Sequence, residues 1–115
     1  FTPPSRFVRA AFFQTTAPQQ PTAQESVFQA FHILNNFDIP GGTEEAAGKA
    51  LVNLPSATQF TVACDTHNRM LYYRTMYNSN IRCIDLMDID FRKVKFQSHP
   101  LDDVQQQPVT MVRVK

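Results

Sequence analysis

Between residues 58 and 86 the chain reads TQFTVACDTHNRMLYYRTMYNSNIRCIDL, a run of β-formers broken twice by turn residues. The predicted strands are 58–64, 70–77 and 81–86, with turns at DTHNR (65–69) and NSN (78–80), an antiparallel meander. Pairing Asp65 with Met70 sets Cys64 opposite Leu71, Val62 opposite Tyr73 and Phe60 opposite Thr75. Pairing Tyr77 with Asn80 sets Tyr73 opposite Ile84 and Leu71 opposite Leu86. One face then collects Phe60, Val62, Cys64, Leu71, Tyr73, Ile84 and Leu86. The other collects Thr61, Ala63, Met70, Tyr72, Met76, Ile81 and Cys83, with Arg74 and Asp85 among them. A sheet with water on one side shows one polar face. This one has two apolar faces, so the expected fold has a layer on each side.

Two helices precede the meander. The first is predicted over 5–14, with Pro4 outside, Ser5 as cap and an apolar stripe of Phe7, Val8, Ala11 and Phe12. The second is predicted over about 23–36, opened by the capping box Thr22–Glu25 and ended by DIPGG at 38–42. Val27, Phe28, Phe31, Ile33, Leu34 and Phe37 lie on and beside one face. Residues 14–22 form a connector with two prolines, and 43–57 read as a polar loop. In the tail, 87–96 suggests a further short strand and PVTMVRVK a last edge strand. Two helices suffice for one face of the sheet; the other is expected to need something outside this chain.

The first helix raises a question of charge. Arg6 and Arg9 occupy its opening turns, where the helix N-terminus already carries positive partial charge. A fixed cation placed there suits a nearby anion better than it suits the helix.

With 115 residues, 43% of them hydrophobic and ten Phe, the chain is one domain or part of one. Eleven basic against ten acidic residues, with no basic stripe, leave no nucleic-acid footprint. No apolar run approaches the ~20 residues of a membrane-spanning helix, and no basic-then-apolar leader is present. The chain opens on Phe1 rather than Met, which reads as a processed chain, a truncated one or one piece of a cut protein. Cys64 and Cys83 fit no metal spacing, and in the register above they lie on opposite faces, which argues against a disulfide. His32 reads as a packed or capped core residue; His67 and His99 read as exposed. Asp85, Asp88 and Asp90 suggest neither a metal loop nor an acid–base pair. No cofactor is expected.

Three stretches carry a resemblance: SRFVRAAFF (5–13), FHILNNFDIPGGT (31–43) and residues 58–86. In that order they resemble the C-terminal third of the choloylglycine hydrolase family, which contains penicillin V acylases and conjugated bile salt hydrolases. The resemblance implies an α+β fold: the C-terminal part of an αββα N-terminal-nucleophile hydrolase sandwich, with residues 1–115 as one segment of a single domain. It further implies hydrolysis of a linear N-acyl amide. An N-terminal Cys attacks the carbonyl, its own α-amino group carries the proton, and an acyl-enzyme is released by water.

The resemblance assigns Arg6, the Arg that begins the SRF motif, to the active site as the catalytic residue of this segment. A guanidinium added to a positive helix end lowers the cost of a nearby thiolate or oxyanion. Its fixed charge and planar donors make Lys a poor substitute. Arg9, three residues on and near the same side, reads as a structural or ion-pair residue. No residue here matches the family's nucleophile, since Cys64 and Cys83 are internal. The implied partner is therefore the N-terminal portion of the same hydrolase, bearing the Cys; the implied ligand is a small N-acyl amide. A bacterial source, a periplasmic or cytoplasmic location and a homo-tetramer are further expectations of the resemblance. The competing reading is a non-catalytic α+β interaction module, or an inert fragment of the same fold.

Overall fold

The computed structural model describes residues 2–41 and 57–115. Its elements run α1 (Pro3–Thr16), α2 (Ala23–Leu34), a 3-10 turn (Asn35–Phe37), strands β1 (Phe60–Asp65), β2 (Met70–Thr75) and β3 (Asn78–Asp85), and a second 3-10 turn (Leu86–Asp88). The layout is α+β, as expected. Most of the predicted 43–57 loop lies outside the described residues.

The first helix starts ahead of the expected position. Thr2, not Ser5, is the cap: its side chain accepts the Ser5 N–H at 3.4 Å, and Pro3 and Pro4 form the first two helical positions. The prolines that look like an extended lead fit there because the first helical N–H groups have no intrahelical partner. The helix also runs two residues past its predicted end. Thr15 and Thr16 return their hydroxyls to Ala11 and Phe12 carbonyls at 2.9 and 2.8 Å. Ala17 then turns extended, at φ −62° and ψ 127°, ahead of Pro18.

The second helix is capped as its sequence predicts. Thr22 Oγ1 accepts the Glu25 N–H at 3.2 Å. The returning bond runs from the Thr22 hydroxyl to Glu25 Oε2, at 2.7 Å. At the other end, the Asn36 side-chain amide donates to the carbonyls of His32 and Ile33 at 3.2 and 3.1 Å, closing the last turn into the 3-10 segment. Beyond it, Ile39 and Thr58 exchange bonds: the Ile39 N–H reaches Thr58 Oγ1 at 2.9 Å and the Thr58 N–H reaches the Ile39 carbonyl at 3.0 Å. The exit of α2 is thereby stitched to the entry of β1.

The sheet order is β1-β2-β3, antiparallel throughout. The first hairpin keeps every predicted pair, from Asp65 with Met70 to Phe60 with Thr75. Asp65 accepts the Asn68 N–H at 3.0 Å and the Asn68 side-chain amide at 2.6 Å, and those two bonds hold its carboxyl below the usual range. Arg69 closes the loop in the left-handed region, φ 59°.

The second hairpin departs from the expectation by two residues. Leu71 pairs with Ile84 and Tyr73 with Arg82, and the turn is Met76-Tyr77 rather than NSN. Polar residues at 78–80 suggest a turn by composition, yet Thr75 Oγ1 takes the Asn78 N–H at 3.1 Å and draws Asn78 into the ladder. Neither turn residue has positive φ. The turn is therefore not a primed type, and unprimed turns splay their strands; the register breaks between Tyr73 and Thr75. A slip of two leaves each side chain on its predicted face. Leu86 leaves the ladder for the second 3-10 turn, and Arg82 takes the place opposite Tyr73.

The core lies between α2 and the face bearing Ala63 and Arg74. Among the described residues its buried hydrophobic side chains are Val27 and Phe31, 6% and 3% exposed, and burial on that scale contributes about 1.5–3 kcal/mol each. The Arg74 guanidinium lies over the Phe31 ring, 5.6 Å from its centroid. The opposite face is partly open: Phe60, Val62 and Ile84 are exposed, while Thr75 at its far end is buried, 8% exposed. Helix α1 does not join α2 over the sheet; its predicted stripe points outward, with Phe7, Val8 and Phe12 exposed at 75%, 64% and 61%. His32 is exposed too, because one residue beyond Phe31 the helix has turned away from the sheet. The tail forms no strand in 87–96 or 108–115. One group it could pair with, the Ser79 N–H of β3, is held instead by Gln107 Oε1 at 2.6 Å.

The accessible surface is 9823 Å², where a self-contained chain of 13.1 kDa exposes about 6,400 Å². The radius of gyration is 17.4 Å, against about 13 Å for a compact chain of this length. The irregular tail, almost all of it exposed, and the uncovered apolar surfaces both add to these values.

Candidate functional site

With Pro3 as the first helical residue, Arg6 is the fourth, and its N–H makes the opening intrahelical bond to the Thr2 carbonyl at 3.1 Å. No acidic residue stands in the first turn. The half-buried residues of α1 include Arg6, Arg9 and Phe13, at helical spacings of three and four. The side of α1 turned toward the rest of the chain therefore carries two guanidinium groups, while the side of Phe7 and Phe12 faces away.

Arg6 makes no side-chain hydrogen bond or ion pair among the described residues. It is a fixed cation, partly withdrawn from water, beside a helix end whose dipole has the same sign. Such a site attracts an anion or a developing oxyanion.

Arg9 has a different environment. Its Nη1 donates to the Asn36 carbonyl at 3.0 Å, and its guanidinium lies 5.2 Å from the centre of the Phe37 ring. The expected ion pair is not seen among the described residues: a backbone carbonyl and an aromatic face take the place of a carboxylate. The SRFVRAAFF and FHILNNF stretches are joined through this residue.

A second polar cluster was not read from the sequence. Arg82 Nη1 bonds Asp102 Oδ1 at 2.5 Å and the Leu101 carbonyl at 3.0 Å, Nη2 reaches Thr75 Oγ1 at 3.3 Å, and the guanidinium lies 4.6 Å from the Tyr73 ring centre. Asp102 is held below the usual carboxylate range, first by the Thr75 hydroxyl and then by Arg82, against the opposing effect of burial. The cluster fastens the tail to the sheet. Leu101 and Asp102 lie 19 and 20 positions beyond Arg82, and no local pattern marks such a pair.

Cys64 and Cys83 are free and exposed, on opposite faces as expected. Asp85 caps the second 3-10 turn through the Met87 N–H at 2.8 Å, and Asp90 pairs with Lys93 at 3.4 Å. His67 lies in the first hairpin loop, and His99 contacts Gln97 at 2.8 Å; both are exposed. Among the described residues no three His, Cys, Asp or Glu side chains gather as a metal site, and no helix is long and apolar enough to cross a membrane.

Comparison with known proteins bears on this arrangement. The family model for linear amide C–N hydrolases, choloylglycine hydrolase family, matches residues 1–107. A bile salt hydrolase/transferase of Lactiplantibacillus plantarum is 35% identical over 98 residues, covering 84% of this chain and 29% of that protein. A bile salt hydrolase/transferase of Clostridium perfringens is 32% identical over 87 residues, covering 75% of this chain and 25% of that protein. The crystal structure of a mutant conjugated bile acid hydrolase from Clostridium perfringens superposes with a TM-score of 0.70 at 25% identity, over 98% of this chain and 32% of that one. The chain thus spans under a third of the length of each.

Proposed function

The chain belongs to the choloylglycine hydrolase family of linear amide C–N hydrolases, and from that premise we propose that it is the Arg6-bearing segment of an amidase whose cysteine nucleophile lies in polypeptide beyond these 115 residues. Its two helices and antiparallel meander are a segment of the N-terminal-nucleophile hydrolase fold. The substrate class is a small N-acyl amide: a conjugated bile salt, penicillin V or a related acyl amide.

The observation that carries this reading is Arg6 itself. It is the first arginine of the motif that the family resemblance places in the active site, and it is half-buried on the inner side of α1 without a partner among the described residues. In the reaction the cysteine thiolate attacks the amide carbonyl, the bond to nitrogen breaks, and the amine leaves with a proton from the α-amino group. Water then adds to the acyl-enzyme. The role given to Arg6 is to hold negative charge near the sulphur and the carbonyl oxygen, where a fixed donor acts without reorganising.

The need for a companion is supported by surface. The exposed area exceeds that of a self-contained chain by about 3,400 Å², and the open sheet face and the outer side of α1 account for apolar parts of it. The remaining two-thirds of the hydrolase would cover them. A homo-oligomeric, bacterial and periplasmic enzyme completes the proposal; both bile salt hydrolase relatives are bacterial.

The test is to isolate the chain from its source with whatever accompanies it, measure masses, and assay glycocholate and penicillin V. The proposal expects polypeptide beginning with Cys and release of glycine or of the acyl side chain. A single chain of these residues that hydrolyses neither compound fits the interaction module instead.

A further inference from the structure

We propose that Arg9 is a positioning residue that sets where Arg6 stands, by clamping α1 to the exit of α2; the inference rests on the role given to Arg6 above. The two arginines are three residues apart on the half-buried side of one helix. A rotation or shift of α1 that moves one guanidinium moves the other.

Besides Arg6 and Arg9, that side of the helix carries the half-buried Phe13. Phe7, Val8 and Phe12 point away from the chain. The other side-chain hydrogen bonds of α1, from Thr15 and Thr16, stay within the helix. Arg9 alone sends a side-chain hydrogen bond from α1 to another element among the described residues, to the Asn36 carbonyl at 3.0 Å.

The anchor point is itself hydrogen-bonded into its surroundings. Asn36 spends its side-chain amide on the His32 and Ile33 carbonyls, and the Asp38 N–H bonds the Asn35 carbonyl at 3.3 Å. Phe37 supplies a flat surface 5.2 Å from the guanidinium carbon. Arg9 thus ties α1 to this corner through two contacts, a hydrogen bond and an aromatic ring. Lys can reach the carbonyl but cannot stack as a plane. Two or three residues further on, the same exit segment is stitched to Thr58 at the entry of β1, so the clamp ties α1 to the layer that α2 and the sheet form.

The experiment uses the assembled hydrolase, four single variants, Arg9→Met, Arg9→Lys, Phe37→Leu and Arg6→Ala, and one double variant. In Arg9→Met, amide hydrogen exchange in residues 6–14 should quicken at least about tenfold while β1–β3 amides hold, with kcat down about 10–100-fold and KM nearly unchanged, as for a group misplaced by about 1 Å. Arg9→Lys should recover part of both losses. Phe37→Leu, which removes only the ring, should give a smaller change of the same kind and serves if Arg9→Met does not fold. Adding Arg9→Met to Arg6→Ala should cost almost no further kcat, because the first acts through the second. Unchanged exchange in α1, or losses that multiply in the double variant, would overturn the proposal. If the parent hydrolyses no acyl amide, or Arg6→Ala is as active as the parent, the functional reading falls instead; exchange in α1 still decides whether Arg9 is a clamp.

Discussion

Helices α1 and α2 have 14 and 12 residues, each begins at a threonine cap, and each carries an apolar stripe, yet the chain uses them in opposite ways. In α2 the stripe faces the sheet and holds the buried apolar side chains Val27 and Phe31. In α1 the stripe faces out and arginines face in. A helix is positioned by burying its apolar face, and most of its stability comes from that. By that measure α2 is held by this chain, while the apolar side of α1 has no covering surface among the described residues. The helix that the chain holds least firmly is the one carrying the charged group of the proposed reaction.

That contrast can be broken or sharpened by substitution. The largest effect is expected at Phe31→Ala, which empties the contact between α2 and the sheet and should cost about 3–5 kcal/mol in denaturant unfolding. A loss under about 1 kcal/mol would mean that α2 is no better anchored than α1. Next comes Arg6→Ala in the assembled enzyme, where turnover should fall about 10²–10³-fold with the unfolding midpoint unchanged. Turnover near that of the parent would leave α1 without a role in chemistry.

The caps make a smaller test. Thr22→Ala should destabilise by about 1 kcal/mol. Thr2→Ala should cost less than about half of that, because its bond is long, 3.4 Å against 3.2 Å, and no Glu answers it. Equal losses would remove the distinction between the two helix starts.

The smallest effect is expected at the tail. Asp102 is depressed in the folded state by Thr75 and Arg82. Its contribution is therefore present above the ordinary carboxylate value of about 3.9 and is lost as pH falls below that value, through the depressed folded pKa. Amides of residues 101–107 should lose exchange protection in that range while the β1–β2 amides keep theirs. Asp102→Asn should show the loosened tail already at neutral pH.

How far the sequence could be read depended on how local the deciding forces were. The Thr22–Glu25 cap and the DTHNR hairpin are contacts across three or four residues, and both formed as read. The alternation of β1 and β2 fixed their register because a one-residue slip would turn every side chain over. The second hairpin was misread by two residues, since a slip of two satisfies the same alternation. What chose between the registers was the Thr75 hydroxyl holding the Asn78 N–H, a contact composition does not announce. The role proposed for Arg6 rests on the family motif, since no local pattern points to it. The partners of Arg9 were not legible, because Asn36 and Phe37 lie 27 and 28 residues away around a corner.

Residue order alone determined the two helices and the meander, its two apolar faces and the family, because periodicity, capping and motif all act over a few positions; the tail strands it suggested did not form. Only the tertiary structure decided which face α2 would take, that α1 would turn its arginines inward, and that Asp102 would return to Arg82. Those outcomes depend on which distant surfaces meet, and the free energy of burial and of long-range ion pairing has no signature in neighbouring letters.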